Sequence, residues 1–579
     1  MLWRLLEFVK EKQWEKASVL AEEIKQTGEE SADFLVLYAS VCAATGEVKR
    51  EYDSIVEGLS KYPFRYEFYS FLGNYYSKQQ KSNQAYLCYE QALHYCQIKA
   101  DRQIIQNNMA ALCGGPAVPV SPVTVVILRT SDGWMPRELI DSIQGTMAGQ
   151  YEILLIGNFC QQQRSEGVNS QHDIKMVACD ETMGFAGRVN LGIKNAGIRN
   201  DIFLLSEDAV LLPNAFFWLR MALYERTTIG AAGGISNKGF HQQRIELSCN
   251  TMEEYWAAAE VLNVPDSCAY ENRLWLDAFS LLLKRAALDE TGLFEGRDIR
   301  HWYSCIDYGM KLMEANYESV LCYNSFIYRR DTIERYGELT FEKTDLDELE
   351  NKWKFPVLYY CDIRAEMIQK ICQPRDKEIF ILEVGCGCGA TLSAIQCQYP
   401  NAHVYGIELI EEVAAAGKYM ADIVPGNIET MKLPFKTHMF DYIMFGDVLE
   451  HLRCPEKVIE RMREYLSADG RILASIPNLM NIGVMVSLLK GNFTYQDKGI
   501  LDQTHIHMFT LNEIKRMFHN AGYVIKDIQR NYRREELPDY EEEDQKIMEA
   551  VYQIKGIQDI QEFEVYQYLV EAAVSENVN

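Results

Sequence analysis

The sequence predicts a multidomain protein: an all-α helical-repeat N-terminus followed by two α/β domains. Three observations predict it. Small and large residues recur at a spacing of 34 over residues 1–99, the signature of stacked helix pairs. From Val123 to about residue 356, short apolar strands alternate with helical stretches. From Glu378 onward a strand runs into a glycine-rich turn, a helix and a second strand that ends on a carboxylate. The length of 579 residues fits this division, since domains average roughly 150 residues.

Composition narrows the classes. With 58 Lys and Arg against 83 Asp and Glu, the net charge is −25. Phosphate contacts need basic residues, so nucleic acid and anionic membrane are poor partners. No run of 18 apolar residues offers a membrane span. Charge interrupts Met1–Glu7 before a signal-peptide core could form. The 16 cysteines lack framework spacing, and Cys42, Cys88 and Cys96 sit in apolar surroundings, which predicts a reduced, cytoplasmic setting. Cys386 and Cys388 have no second pair at zinc-site spacing.

In the N-terminal part, Tyr69, Leu72, Gly73, Tyr76, Ala85, Tyr89 and Ala92 set the pattern. Leu35, Tyr38, Ala39, Cys42, Ile55, Gly58 and Pro63 repeat it one step earlier, and Ala17 keeps one position of a further copy. Small residues allow two helices to cross closely, and large ones fill the gaps. The offsets resemble the tetratricopeptide repeat. This implies three helical hairpins and a capping helix near Asp101–Leu112 within residues 1–113, with a surface that binds a protein partner or packs on the next domain. Residues 114–122, rich in Gly and Pro, read as a linker.

In residues 123–356 the elements expected are a strand at Val123–Leu128, a helix at Arg137–Thr146, a second strand at Glu152–Ile156 and a third at Asp201–Leu205. A mostly parallel sheet places its site at the strand ends. Gly184-Phe185-Ala186-Gly187-Arg188-Val189-Asn190-Leu191-Gly192, Ser206-Glu207-Asp208, Thr291-Gly292-Leu293-Phe294 and Asn351-Lys352-Trp353 follow in order. Together they resemble the family 2 glycosyltransferases of the GT-A fold. The resemblance implies a nucleotide-sugar site in which Asp208, beside Glu207, holds a divalent cation (Mg or Mn) against the diphosphate charge. Two positions depart from it. Cys305, in Ser304-Cys305-Ile306-Asp307, stands where the family carries its base, and Gly157 stands where it carries an aspartate. These losses leave two readings open: an active transferase, or a degenerate domain that binds glycan or only scaffolds.

Residues 357–530 carry the strongest pattern. The turn Glu383-Val384-Gly385-Cys386-Gly387-Cys388-Gly389 opens a helix at Ala390–Gln398, and Glu408 ends the second strand 19 residues after Gly389. Glycines let backbone approach a cofactor, and a carboxylate at that strand end can accept both ribose hydroxyl protons. Downstream come Val424–Glu429, the strand and loop Phe440–Leu452, a helix at Pro455–Leu466 and a fifth strand Arg471–Asn478. In this order they resemble Rossmann-like class I methyltransferases that use S-adenosyl-L-methionine, close to the ubiquinone- and sugar-type O-methyltransferases. The resemblance implies cofactor binding, without metal, by Glu383, Gly385, Cys386, Gly387, Gly389, Glu408, Asn427, Ile428 and Asp447. Asn427 replaces the family's common Asp, but its carbonyl still accepts from the adenine amine.

A sulfonium methyl is already activated, so the enzyme mainly aligns it, and a base assists an acceptor hydroxyl. His505 is the first candidate for that base, with His507 and His451 behind it. The segment Asp502–Phe509 follows the fifth strand, where this branch builds its acceptor lid. Residues 531–579 read as an acidic helical extension, with an amphipathic helix at Phe563–Ala573. The combined expectation is a sugar O-methyltransferase of surface glycan biosynthesis fused to a glycosyltransferase-like domain. Its rival is a methyltransferase whose repeats and middle domain only bind the glycan or protein acceptor.

Overall fold

A computed structural model describes residues 1–113, 120–129, 136–159, 174–180, 182–239, 243–266, 268–296, 301–330, 343–532, 542–553 and 560–575. The chain divides into two compact units, Met1–Leu349 and Glu350–Asn579.

The first unit begins with helices Leu2–Lys10, Trp14–Gln26, Ala32–Thr45, Val48–Lys61, Tyr66–Lys78, Ser82–Tyr95 and Lys99–Cys113. Consecutive helices pack as three pairs and a closing helix. Gly73 is required by the close crossing in the third pair, since a Cβ there would lie 2.5 Å from the Tyr89 ring. The helix Ser82–Tyr95 is not a free edge. Gln84 donates to the Tyr224 carbonyl at 2.8 Å, Gln91 and Tyr95 donate to Asn214, and Glu90 pairs with Arg220. Of the expected linker, residues 114–119 lie outside the described residues. Its end is fastened: the Ser121 amide donates to the Tyr224 hydroxyl at 2.8 Å, and the Asp201 amide donates to the Pro122 carbonyl.

The helices pack on a mixed eight-stranded sheet of order β3-β2-β1-β4-β8-β6-β9-β7. Its strands are β1 (Val123–Leu128), β2 (Tyr151–Gly157), β3 (Ile174–Ala178), β4 (Asp201–Ser206), β6 (Ile229–Ile235), β7 (Tyr270–Arg273), β8 (Ser280–Leu283) and β9 (Glu318–Phe326). β5 (Ala209–Val210) and β10 (Tyr328–Arg329) form a separate two-stranded ribbon. β1 pairs in parallel with β2 and β4, while β8 runs antiparallel to β4 and β6. The expected strand at Asp201–Leu205 is therefore fourth in the chain, because β3 precedes it.

The second unit is a seven-stranded sheet of order β13-β12-β11-β14-β15-β17-β16. Its strands are β11 (Ile379–Val384), β12 (Ala402–Glu408), β13 (Asp422–Pro425), β14 (Phe440–Gly446), β15 (Leu466–Pro477), β16 (Tyr523–Asn531) and β17 (Gln567–Val574). The first five run parallel, and β17 is antiparallel to both neighbours. Chain order reverses between β11 and β14, which opens a crevice above their C-terminal ends.

Two expectations need correction here. The expected helix Phe563–Ala573 is a short turn at Ile560–Phe563 followed by β17. β17 lies between β15 and β16 and is buried on both faces, so its apolar run belongs to the sheet core and the domain extends past residue 530. The expected helix Pro455–Leu466 ends at Met462, and Leu466 already opens β15.

Candidate active site

The crevice begins at the turn after β11. Gly385, Gly387 and Gly389 take φ values of +70°, +56° and +74°, a region that side-chain-bearing residues resist. Space is also closed: a Cβ on Gly387 would lie 2.6 Å from the Tyr360 carbonyl oxygen. That carbonyl accepts the Cys388 amide at 2.9 Å. Glu408, the last residue of β12, gathers the turn. It is 4% exposed, and its carboxylate accepts from the Gly387 and Ile410 amides, each at 3.0 Å. A carboxylate has about four acceptor sites, so lone pairs remain for a diol.

Cys386 is buried against Gly406, and burial holds its thiol well above the ordinary range, which leaves it unreactive. Asn427 turns its carbonyl oxygen onto the Glu429 amide at 2.8 Å, while Ile428 is buried beside it. Asp447 follows β14 with φ at +52°. Its carboxylate accepts from Ser475 Oγ at 2.8 Å, from Gln567 and from the Arg364 guanidinium at 2.5 Å. Arg364 and Gln567 were absent from the sequence reading, since neither lies in a recurring motif. Glu383, in β11, is buried with Oε2 unpartnered. Burial pushes its carboxyl up to about 8, although Arg364 and Thr391 work the other way.

His505 does not sit on an open lid. Its side chain is 6% exposed, with Nδ1 2.9 Å from the Ile500 carbonyl and Nε2 3.9 Å from Glu450 Oε1. The His451 ring stands edge-on to it, with centroids 4.7 Å apart. Burial, and then His505, lower the pKa of His451. Glu450 is 1% exposed with neither carboxylate oxygen hydrogen-bonded, and burial, with Asp447 adding to it, raises its pKa far above the usual range. His507 is separate from this group, with Nε2 3.2 Å from the Arg453 carbonyl. The three candidate histidines thus divide into a pair around Glu450 and one outlier.

In the first unit, the helix Phe185–Asn195 and the Thr291–Phe294 turn clasp each other. Asn190 donates to the Phe294 carbonyl at 2.9 Å and accepts the Phe294 amide at 3.0 Å. Asp208, expected to hold a cation, is paired with a guanidinium. Arg329 Nη2 lies 3.0 Å and Nε 3.1 Å from Asp208 Oδ2, and Ser206 bonds the other oxygen. Gly157 cannot be replaced by a side-chain-bearing residue without displacement, since a Cβ there would lie 2.8 Å from Arg129 Cβ. Cys305 is buried, and burial holds its thiol protonated. The sequence reading missed Asp277, buried 3.4 Å from His301 Nε2.

Comparison with known proteins concerns the C-terminal part. Residues 357–527 match the family model described as a methyltransferase domain. The chain is 25% identical over 163 residues to a demethylmenaquinone methyltransferase of Bacillus cytotoxicus, covering 24% of this chain and 68% of that protein. It is 25% identical over 127 residues to a malonyl-[acyl-carrier protein] O-methyltransferase of Bacillus anthracis, covering 20% of this chain and 46% of that protein. A SAM-dependent methyltransferase structure from Aquifex aeolicus aligns with 14% identity over 41% of this chain and 100% of that one, at a TM-score of 0.26. The C-terminal unit therefore carries a methyltransferase domain of the class I, S-adenosylmethionine-dependent type.

Proposed function

We propose that the C-terminal domain transfers the methyl of S-adenosylmethionine to a hydroxyl oxygen of a sugar or glycan, and that the first unit presents that acceptor. The observation that carries the cofactor reading is Glu408. It ends β12 with two acceptor positions spent on the turn and lone pairs left for the ribose hydroxyls. Transfer to oxygen is supported by the name of the Bacillus anthracis relative, an O-methyltransferase. The sugar acceptor is supported by the glycosyltransferase-like motifs, whose clasp between Asn190 and Phe294 joins the helix start to the acceptor-side turn.

Two forms of this reading differ in the first unit: a working GT-A transferase, or an acceptor-binding fold that has lost turnover. The ion pair between Arg329 and Asp208 favours the second. A buried carboxylate already neutralised by guanidinium has little to offer a metal-bound diphosphate. The tetratricopeptide-like pairs at 1–113 then serve as a platform whose sixth helix, Ser82–Tyr95, is committed to the sheet domain.

Two measurements test the proposal. Calorimetry on the full chain should give heat with S-adenosylhomocysteine, and a folded protein that gives none contradicts it. Mass spectrometry of surface glycans with and without the protein should reveal a lost methyl. Loss of a whole sugar residue would instead favour the working transferase.

A further inference from the structure

We propose that Glu450, His451 and His505 form a binding site for one divalent transition-metal cation beside the cofactor crevice. One ligand atom from each residue lies within 4.8 Å of the other two. Bonds of about 2.0–2.2 Å would draw these atoms slightly closer together around an ion.

The hydrogen-bond partners fix what each group presents. His505 Nδ1 faces the Ile500 carbonyl at 2.9 Å, and a carbonyl only accepts, so Nδ1 carries the ring proton. His451 Nδ1 faces the Thr504 carbonyl at 3.3 Å and Thr504 Oγ1 at 3.1 Å. The Thr504 hydroxyl gives its own hydrogen to Asp502 at 2.6 Å, so it too can only accept from His451. With Nδ1 as the donor, the neutral form of each ring leaves Nε2 bare. Backbone carbonyls that hold the far nitrogen of each ring are the usual support of metal-bound histidine.

Glu450 adds a carboxylate that is 1% exposed, with both oxygens unpartnered. Its distance to His505, 3.9 Å, is too long for a direct hydrogen bond. Two imidazoles and a carboxyl group without a hydrogen-bond partner thus lie close together, and a cation would displace the carboxyl proton and engage all three. The backbone holds them in register. The Glu450 carbonyl accepts the Ile506 amide at 2.8 Å and the His507 amide at 3.0 Å, tying the histidine segment to the turn after β14. Two imidazoles and one carboxylate suit zinc, manganese, iron or cobalt better than magnesium or calcium, which prefer all-oxygen shells.

Its role rests on the methyltransferase reading above. An acceptor hydroxyl in the open coordination position would lose its proton to water more readily. The oxygen electron pair then forms the carbon–oxygen bond as the methyl–sulfur bond breaks, and sulfur leaves as a neutral thioether. Asp502, through Thr504 and His451, acts as a positioning residue.

The test uses the full chain, stripped with a chelator and titrated with Co²⁺ under visible absorption and with Zn²⁺ in a calorimeter. One equivalent of Co²⁺ should give ligand-field bands that Zn²⁺ displaces. Glu450→Gln and His451→Ala should each weaken binding at least about 10–100-fold. His451 is half-buried, so its variant tests the site even if Glu450→Gln misfolds. No bands, or Zn²⁺ heat unchanged in His451→Ala, overturns the proposal. S-adenosylhomocysteine titrated into the same samples separates the two readings. Its heat without metal binding refutes the metal site alone, and metal binding without its heat refutes the methyltransferase role but not the site.

Discussion

The two sheets differ in how many of their strand-end carboxylates are left without a charged partner. In the first unit Asp208 is met by Arg329, Asp277 by His301, and Glu207 faces Arg129 at 4.0 Å. In the second, Asp447 is likewise met by Arg364, but Glu383 is buried with Oε2 unpartnered, Glu450 with both oxygens unpartnered, and Glu408 is held only by backbone amides. A carboxylate neutralised from within is a finished structural element. A buried carboxylate without a counter-charge carries a desolvation penalty that a ligand can relieve. By this criterion the second sheet leaves more groups open to an incoming ligand, and the first pairs Asp208 internally.

The comparison breaks most visibly at His505. His505→Ala should lower methyl transfer by about 10²–10⁴-fold with cofactor affinity kept, as measured by initial rates and calorimetry. His507→Ala, whose ring faces the Arg453 carbonyl, should stay within a few-fold of wild type. Equal losses at the two positions would erase the distinction between them.

Arg329 sharpens the other side. Arg329→Ala strands a buried carboxylate and should lower stability by about 3–5 kcal/mol in denaturant unfolding. Adding Asp208→Asn should recover most of that loss. A silent Arg329→Ala would mean that Asp208 is free enough to take a cation.

Glu383 gives the same contrast a pH dependence. Its folded carboxyl, pushed up to about 8, lies above the ordinary value of 4.5. The folded state therefore holds the extra proton. The stability this contributes is complete below pH 4.5 and is lost as pH rises through about 8. Glu383→Gln should remove that loss and, at alkaline pH, make the cofactor-free protein more stable than wild type by about 2–4 kcal/mol. Thermal melts across this range check it, and parallel curves for the two proteins would contradict it.

The parts legible in the sequence were those whose chemistry is local. The turn Gly385–Gly389 and the carboxylate of Glu408 lie within one strand-helix-strand unit, so their spacing carries their geometry. Contacts between distant segments left no such trace. His505 reaches Glu450 across 55 residues of chain, and Arg329 reaches Asp208 across 121. β17 was misread for a different reason. Gln567–Val574 is buried on both faces between two strands, so it lacks the alternation that marks a half-exposed strand. β3, an edge strand with no fully buried residue and with Lys175 inside it, lacks the apolar run that marks β1 and β4.

The proposed cofactor site, in the crevice between β11 and β14, holds S-adenosylmethionine through Glu408. Calorimetry of S-adenosylhomocysteine binding to the full chain and to Glu408→Ala tests it most directly. Wild type should bind, and the variant should lose about 1–3 kcal/mol of affinity while keeping its fold by circular dichroism. Equal affinity in the two proteins would contradict the claim.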